Sequence, residues 1–182
     1  MIEHQRALRI LQDAELIYPA ETVQAAVQQV ARAVCAELDG VFPLVLSVMG
    51  GAVVFTGQLL PQLNFPLDFD YVHVSRYADA KRGGVLRWKV EPSESVRGRT
   101  VLVLDDILDE GETLAAVKQR LLDLGAEKVY CAVLADKLHG RAKPLRADFV
   151  GLEVPDRFVF GCGMDIHGAW RNLPAIYAVK EG

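Results

Sequence analysis

The chain has 182 residues, 51% of them hydrophobic and 24% charged, with a formal net charge of -4, enough for one well-buried α/β domain and too apolar for a disordered chain. No run of lysines and arginines offers a stripe for a nucleic-acid backbone, and no apolar stretch approaches the roughly 18 residues of a membrane span. With an N-terminal stretch, MIEHQRALRILQDAEL, that is charged every few residues and lacks a signal-peptide core, this predicts a cytoplasmic protein without nucleic-acid or membrane partners.

The first clear element follows Pro19: Val27, Val30, Ala31, Val34 and Leu38 recur at helical spacing until the turn pair Asp39-Gly40. FPLVLSVMGG then reads as a strand ending in a glycine turn, and Ala52 to Leu60 as a helix bounded by Pro61. In LDFDYVHVSRY the alternation of Leu67, Phe69 and Tyr71 with polar residues predicts a strand with one wetter face. ADAKRGGVLRWKVEP, small, charged and glycine-rich in its first half, predicts a loop leading into an edge strand. Val101 to Leu104 fit a doubly covered parallel strand, Leu114, Val117, Leu121 and Leu124 one helix face, Gly125 its stop, and Val129 to Leu134 the next strand. ADFVGLEVPDRFVFG and AIYAV add two or three short strands. Cys35, Cys131 and Cys162, odd in number and widely spaced, predict buried thiols and neither a disulfide framework nor a zinc cluster. His4, His73, His139 and His167 form no cluster and read as surface or structural.

The chemistry concentrates in VLVLDDILDEGETL, residues 101–114. Ligands of open parallel sheets bind beyond the carboxyl ends of the strands, where Asp105 and Asp106 are expected. Behind them, Asp109 to Thr113 would turn through Gly111 into a helix whose first N–H groups form a phosphate site. A helix dipole accounts for Glu110 or Glu112, but poorly for two carboxylates ending a buried strand, because desolvating unpartnered charge is costly.

This stretch, four hydrophobic residues, two acids and then D-x-G-x-T, resembles the phosphoribosyl pyrophosphate signature of the type I phosphoribosyltransferases. Lys137 after the following strand, Phe158 and Val159 ahead of Asp165 in VPDRFVFGCGMD, and Arg171 in WRNL resemble the purine-site half of the hypoxanthine-guanine members. The likeness runs from SVMGG to LPAIYAV. It implies an α/β fold with a central parallel sheet flanked by helices, in one domain over residues 1–182, and a small hood made of the N-terminal segment and the C-terminal strands.

The resemblance also implies the roles. Asp105 and Asp106 would lie by the ribose hydroxyls and a Mg2+ ion, with Asp165 a further metal contact on the pyrophosphate side. Asp109 would be the acid/base group facing purine N7. Glu110, Gly111, Glu112 and Thr113 would surround the 5'-phosphate, Glu112 with no contact role because its charge would repel the ligand. Met49, Gly50 and Gly51 match a pyrophosphate loop in which many members carry lysine before the glycines, and a strained or cis peptide is expected at Val48 or Met49. Arg171 would grip pyrophosphate with its forked donors. Lys137 would donate to the 6-oxygen of the purine, Phe158 would stack on it, and the backbone of Val159 would read its edge. Ser75, Arg76 and Tyr77 would begin a closing lid, with Gly83 and Gly84 in it. The implied reaction is purine salvage: phosphoribosyl pyrophosphate and hypoxanthine or guanine give IMP or GMP and pyrophosphate, on a homodimer or homotetramer. The alternatives are another base, such as xanthine, adenine or a pyrimidine, and a regulator that senses phosphoribosyl pyrophosphate.

Overall fold

The computed structural model describes residues 2–77 and 85–180. Helix α1 (His4–Asp13) and strand β1 (Glu15–Tyr18) lead into α2 (Ala20–Glu37), β2 (Leu44–Met49) and α3 (Val53–Leu59). β3 (Asp68–Tyr77), β4 (Val85–Val90), β5 (Thr100–Leu108), α4 (Glu112–Asp123) and β6 (Lys128–Leu138) follow, then β7 (Phe149–Pro155), β8 (Val159–Phe160) and β9 (Ile176–Ala178). Six strands form one sheet in the order β4-β3-β2-β5-β6-β7, parallel except for the edge strand β4. β1, β9 and β8 form a separate antiparallel sheet, the hood.

The alternation of side chains along β5 builds the two cores. Leu102 and Leu104 face α2 and α3, joined by Val27, Val30 and Val34 from α2. Val101 and Val103 face α4, which buries Leu114, Val117 and Leu121 at turn spacing. Each fully buried leucine contributes about 1.5–3 kcal/mol relative to exposure, so a strand apolar on both faces is pinned at the centre of the sheet. Hood residues Val159, Met164, Ile176 and Ala178 join the α2 side of the core. Tyr18 donates to the Glu153 carbonyl at 2.8 Å, and Arg157 pairs with Glu15 at 2.7 Å, tying the hood to β7 and to itself. Cys131 and Cys162 are buried, and burial pushes their thiols up to about 12 and about 11, so neither is a ready nucleophile.

Three expectations change. β5 does not stop at Leu104 but runs on to Leu108, taking both aspartates into the strand. On β3 the face of Phe69 and Tyr71 is the exposed one, at 49% and 43%, while Val72 and Val74 further along the strand are buried. Helices α2 and α3 pack over β2, β5, β6 and β7, so alternation in β3 does not report burial. Ser75 to Tyr77 end β3, paired with Arg87 to Val85 of β4, rather than opening a loop. The side chains of Arg76 and Tyr77 and the loop expected at 78–84 lie outside the described part. No helix among the described residues is long and apolar enough to cross a membrane.

Candidate active site

The chain leaves β2 toward β3 on one side, and its next parallel strand, β5, lies on the other. Such a reversal opens a crevice at the carboxyl ends of the two strands. A cavity of about 530 Å³ occupies it, walled by Met49, Gly50 and Gly51 at the end of β2, by residues 105–114 from the end of β5 into α4, and by Ser75, His73, Lys89 and Arg171. Most of the residues expected to handle phosphoribosyl pyrophosphate are thereby brought together.

Close packing shapes the floor. The Met49–Gly50 peptide is cis. A Cβ on Gly51 would stand 2.0 Å from Asp106 Oδ2, and one on Gly163 2.0 Å from the Gly51 carbonyl oxygen, so only glycine fits at either place. Asp105 and Asp106 are both buried. The Asp106 N–H donates to Asp105 Oδ1 and the Ile107 N–H to Asp106 Oδ1, each at 3.0 Å. Burial, and then the charge of Asp106, pushes the Asp105 carboxyl well above its ordinary value. Burial raises Asp106 too, offset in part by its hydrogen bond with Asp105 and by the positive Arg171. Two adjacent carboxylates with so little compensating charge, offering only oxygen, fit a hard divalent ion such as Mg2+.

The turn after β5 makes the opposite kind of surface. Gly111, the N-cap of α4, has φ +80° and brings no side chain to cap the helix, so its first turn offers N–H groups suited to an anion, reinforced by the helix dipole. Asp109, 45% exposed at the side chain, receives Lys137 Nζ on Oδ2 at 2.6 Å, and Lys137 is only 12% exposed. This pair joins the expected acid/base group to the expected purine contact across 28 positions of sequence.

Other expected residues are placed differently. Asp165 accepts from Arg171 Nη2 on one oxygen and from the Gly168 N–H at 2.7 Å on the other, so both its oxygens are engaged within the chain. Arg171 also donates to the Gly163 carbonyl at 2.5 Å while lining the cavity. Phe158 is 55% exposed at the entry to β8, and Val159 is buried against the hood sheet; neither lines the cavity. Glu110 pairs with Arg141 at 3.0 Å. Sequence reasoning missed His139, whose Nε2 lies 3.1 Å from the Asp109 carbonyl oxygen. It also missed Lys89 and His73, 3.4 Å apart at the cavity wall, and the half-buried Lys143. None of these sits within a motif; only their approach in space reveals them.

A phosphate cradle, a buried acid pair and a glycine-packed turn at one crevice define a phosphoribosyltransferase, and a phosphoribosyl transferase domain model matches residues 14–167. The hypoxanthine-guanine phosphoribosyltransferase of Bacillus subtilis (strain 168) is 33% identical over 167 residues, covering 91% of this chain and 93% of that one. The crystal structure of a hypoxanthine phosphoribosyltransferase from Staphylococcus aureus superposes with a TM-score of 0.87 at 25% identity, over 94% of this chain and 95% of that one. The Trypanosoma cruzi hypoxanthine phosphoribosyltransferase, solved as a mutant in a ternary substrates complex, gives 0.84 at 29% identity, over 93% and 97%. The chain belongs to the phosphoribosyltransferase family, in its hypoxanthine-guanine branch.

Proposed function

We propose that the protein transfers the phosphoribosyl group of phosphoribosyl pyrophosphate to a nitrogen of hypoxanthine or guanine, releasing pyrophosphate. The Lys137–Asp109 pair carries this reading. A 6-oxopurine presents O6 and N7 side by side on one edge, and an ammonium beside a carboxylate 2.6 Å away complements that edge. Adenine would bring an amino group against the ammonium, donor against donor, and leaving such a buried group unpaired is strongly discriminating.

The N–H groups at Gly111 to Thr113 hold the 5'-phosphate, and those of the turn at Gly50 and Gly51, with the remaining donors of Arg171, hold the pyrophosphate. Asp105 and Asp106 meet the ribose hydroxyls, and their negative charge stabilises the sugar as it becomes oxocarbenium-like. The same two carboxylates would hold Mg2+, which when bound neutralises the departing pyrophosphate. Asp109 holds or takes the proton at N7 as the purine nitrogen becomes the nucleophile, Lys137 fixes O6, and Phe158 supplies an exposed ring for stacking. No covalent enzyme intermediate is required, because orientation and charge stabilisation suffice. Asp165, engaged by Arg171, orients that guanidinium.

The test is nucleotide formation from hypoxanthine, guanine, xanthine and adenine, each with phosphoribosyl pyrophosphate, with and without Mg2+. Magnesium-dependent product from the first two is expected. Binding of phosphoribosyl pyrophosphate with no turnover of any base would replace this reading with that of a sensor.

A further inference from the structure

Lys143 lies between β6 and β7, and its side chain is only 12% exposed. Its ammonium donates to the Leu108 carbonyl at 2.7 Å, to the Lys137 carbonyl at 2.8 Å and to the carboxylate of Asp136. A lysine has three hydrogens to give, and all three are spent. The acceptors are not scattered. Leu108 directly precedes Asp109, Lys137 is the other half of the purine-facing pair, and Asp136 directly precedes Lys137 and pairs with Leu108 across the ladder.

The β5–β6 ladder ends at the rung Leu108–Asp136, so Asp109 and Lys137 both stand beyond the last pairing between these two strands, although Lys137 still pairs with Val154 of β7. Beyond that rung the Lys143 ammonium bonds to both chains, alongside the Lys137–Asp109 pair and the contact of His139 Nε2 with the Asp109 carbonyl oxygen. The same segment also packs on the phosphate turn: a Cβ on Gly111 would lie 3.3 Å from Pro144 Cδ and 3.5 Å from Lys143 Cβ. Those contacts come from the proline ring and the lysine stem, whereas the part Lys143 takes in tying β5 to β6 comes from its ammonium.

We propose that Lys143 is a positioning residue for base recognition: its ammonium clamps the ends of β5 and β6 so that Asp109 and Lys137 meet the purine at a fixed separation. The inference rests on the assignment of Asp109 and Lys137 to the base given above. The clamp also accounts for a largely covered lysine paired to a half-buried aspartate, an arrangement that is costly unless both charges are satisfied.

Lys143→Met keeps the stem and removes the ammonium. Steady-state constants are measured for hypoxanthine at saturating phosphoribosyl pyrophosphate, and the reverse. Expected is a fall in kcat/KM for hypoxanthine of about tenfold to a hundredfold, with KM for phosphoribosyl pyrophosphate within about twofold of wild type. Lys143→Arg, which keeps charge and donors, should recover part of the loss. If only the melting temperature moves, or if both substrates suffer equally, Lys143 is a structural lysine and the proposal fails. Should the methionine variant not fold, Lys143→Gln, which loses the charge and one of the three donated hydrogens, decides: base-selective loss supports the clamp, and unchanged constants overturn it. Wild-type protein with no turnover of any base would instead sink the functional reading, a different outcome from an active wild type that Lys143→Met leaves untouched.

Discussion

Two parts of the candidate site are built by different means. The part proposed for the phosphoribosyl group is backbone, glycine and buried carboxylate, so tight that a single methyl at Gly51 would overlap Asp106. The part proposed for the base is side chains reached from separate segments, with Asp109 on the cavity wall, Phe158 exposed outside it, and Lys137 arriving from the next strand. A phosphate is the same in every phosphoribosyl donor and can be met by a rigid cradle, whereas bases differ at their edges and must be told apart by individual donors and acceptors. The contrast predicts that substitutions in one half spare the affinity of the other.

The largest effect is expected at the boundary. Asp109→Ala should lower kcat about a hundredfold or more while the melting curve stays close to wild type, since this side chain is partly exposed; an unchanged rate would reduce Asp109 to a turn residue. Next, Gly51→Ala pushes a Cβ into Asp106 and should raise KM for phosphoribosyl pyrophosphate by roughly tenfold or more. The KM for hypoxanthine should hold, and a parallel rise in both would erase the proposed division. On the other side, Phe158→Ala should raise KM for the base by about three- to tenfold, the worth of one stacking contact, without touching the phosphoribosyl donor.

The smallest effect is on stability. The folded-state value of Asp105 is raised by burial and by Asp106, so the folded chain binds more protons than the unfolded one between the unfolded and folded values. Metal-free stability must therefore fall as pH rises through that window. Asp105→Asn removes the charge but keeps an oxygen for the Asp106 N–H. It should raise the metal-free melting temperature at pH 7 by about 2–4 °C, the shift that ~1 kcal/mol gives in a chain of this size, and flatten the pH dependence. A lower melting temperature across the range would mean the acid pair is stabilising as it stands.

The same contrast governs what could be read before the fold was known. The phosphoribosyl half lies largely in one run, residues 105–113, and its strand, turn and helix have local signatures: four aliphatic residues, a glycine with positive φ, and leucine and valine at turn spacing. Helix α2 was equally legible from its buried valines. The base half resisted because its parts approach only after folding. Lys137 could be tied to purine recognition by family likeness alone, and neither the 2.6 Å contact with Asp109 nor the Lys143 clamp has a local pattern. β3 misled for a physical reason: alternation marks a buried face only where another layer covers it, and Phe69 and Tyr71 remain exposed.

The central claim is that Lys137, held against Asp109, selects a 6-oxopurine. The direct measurement is the ratio of kcat/KM for hypoxanthine to that for adenine, in wild type and in Lys137→Met, at saturating phosphoribosyl pyrophosphate. Wild type should prefer hypoxanthine strongly, the preference should fall by at least about tenfold in the variant, and KM for phosphoribosyl pyrophosphate should stay unchanged. An unaltered ratio in an active variant would contradict it.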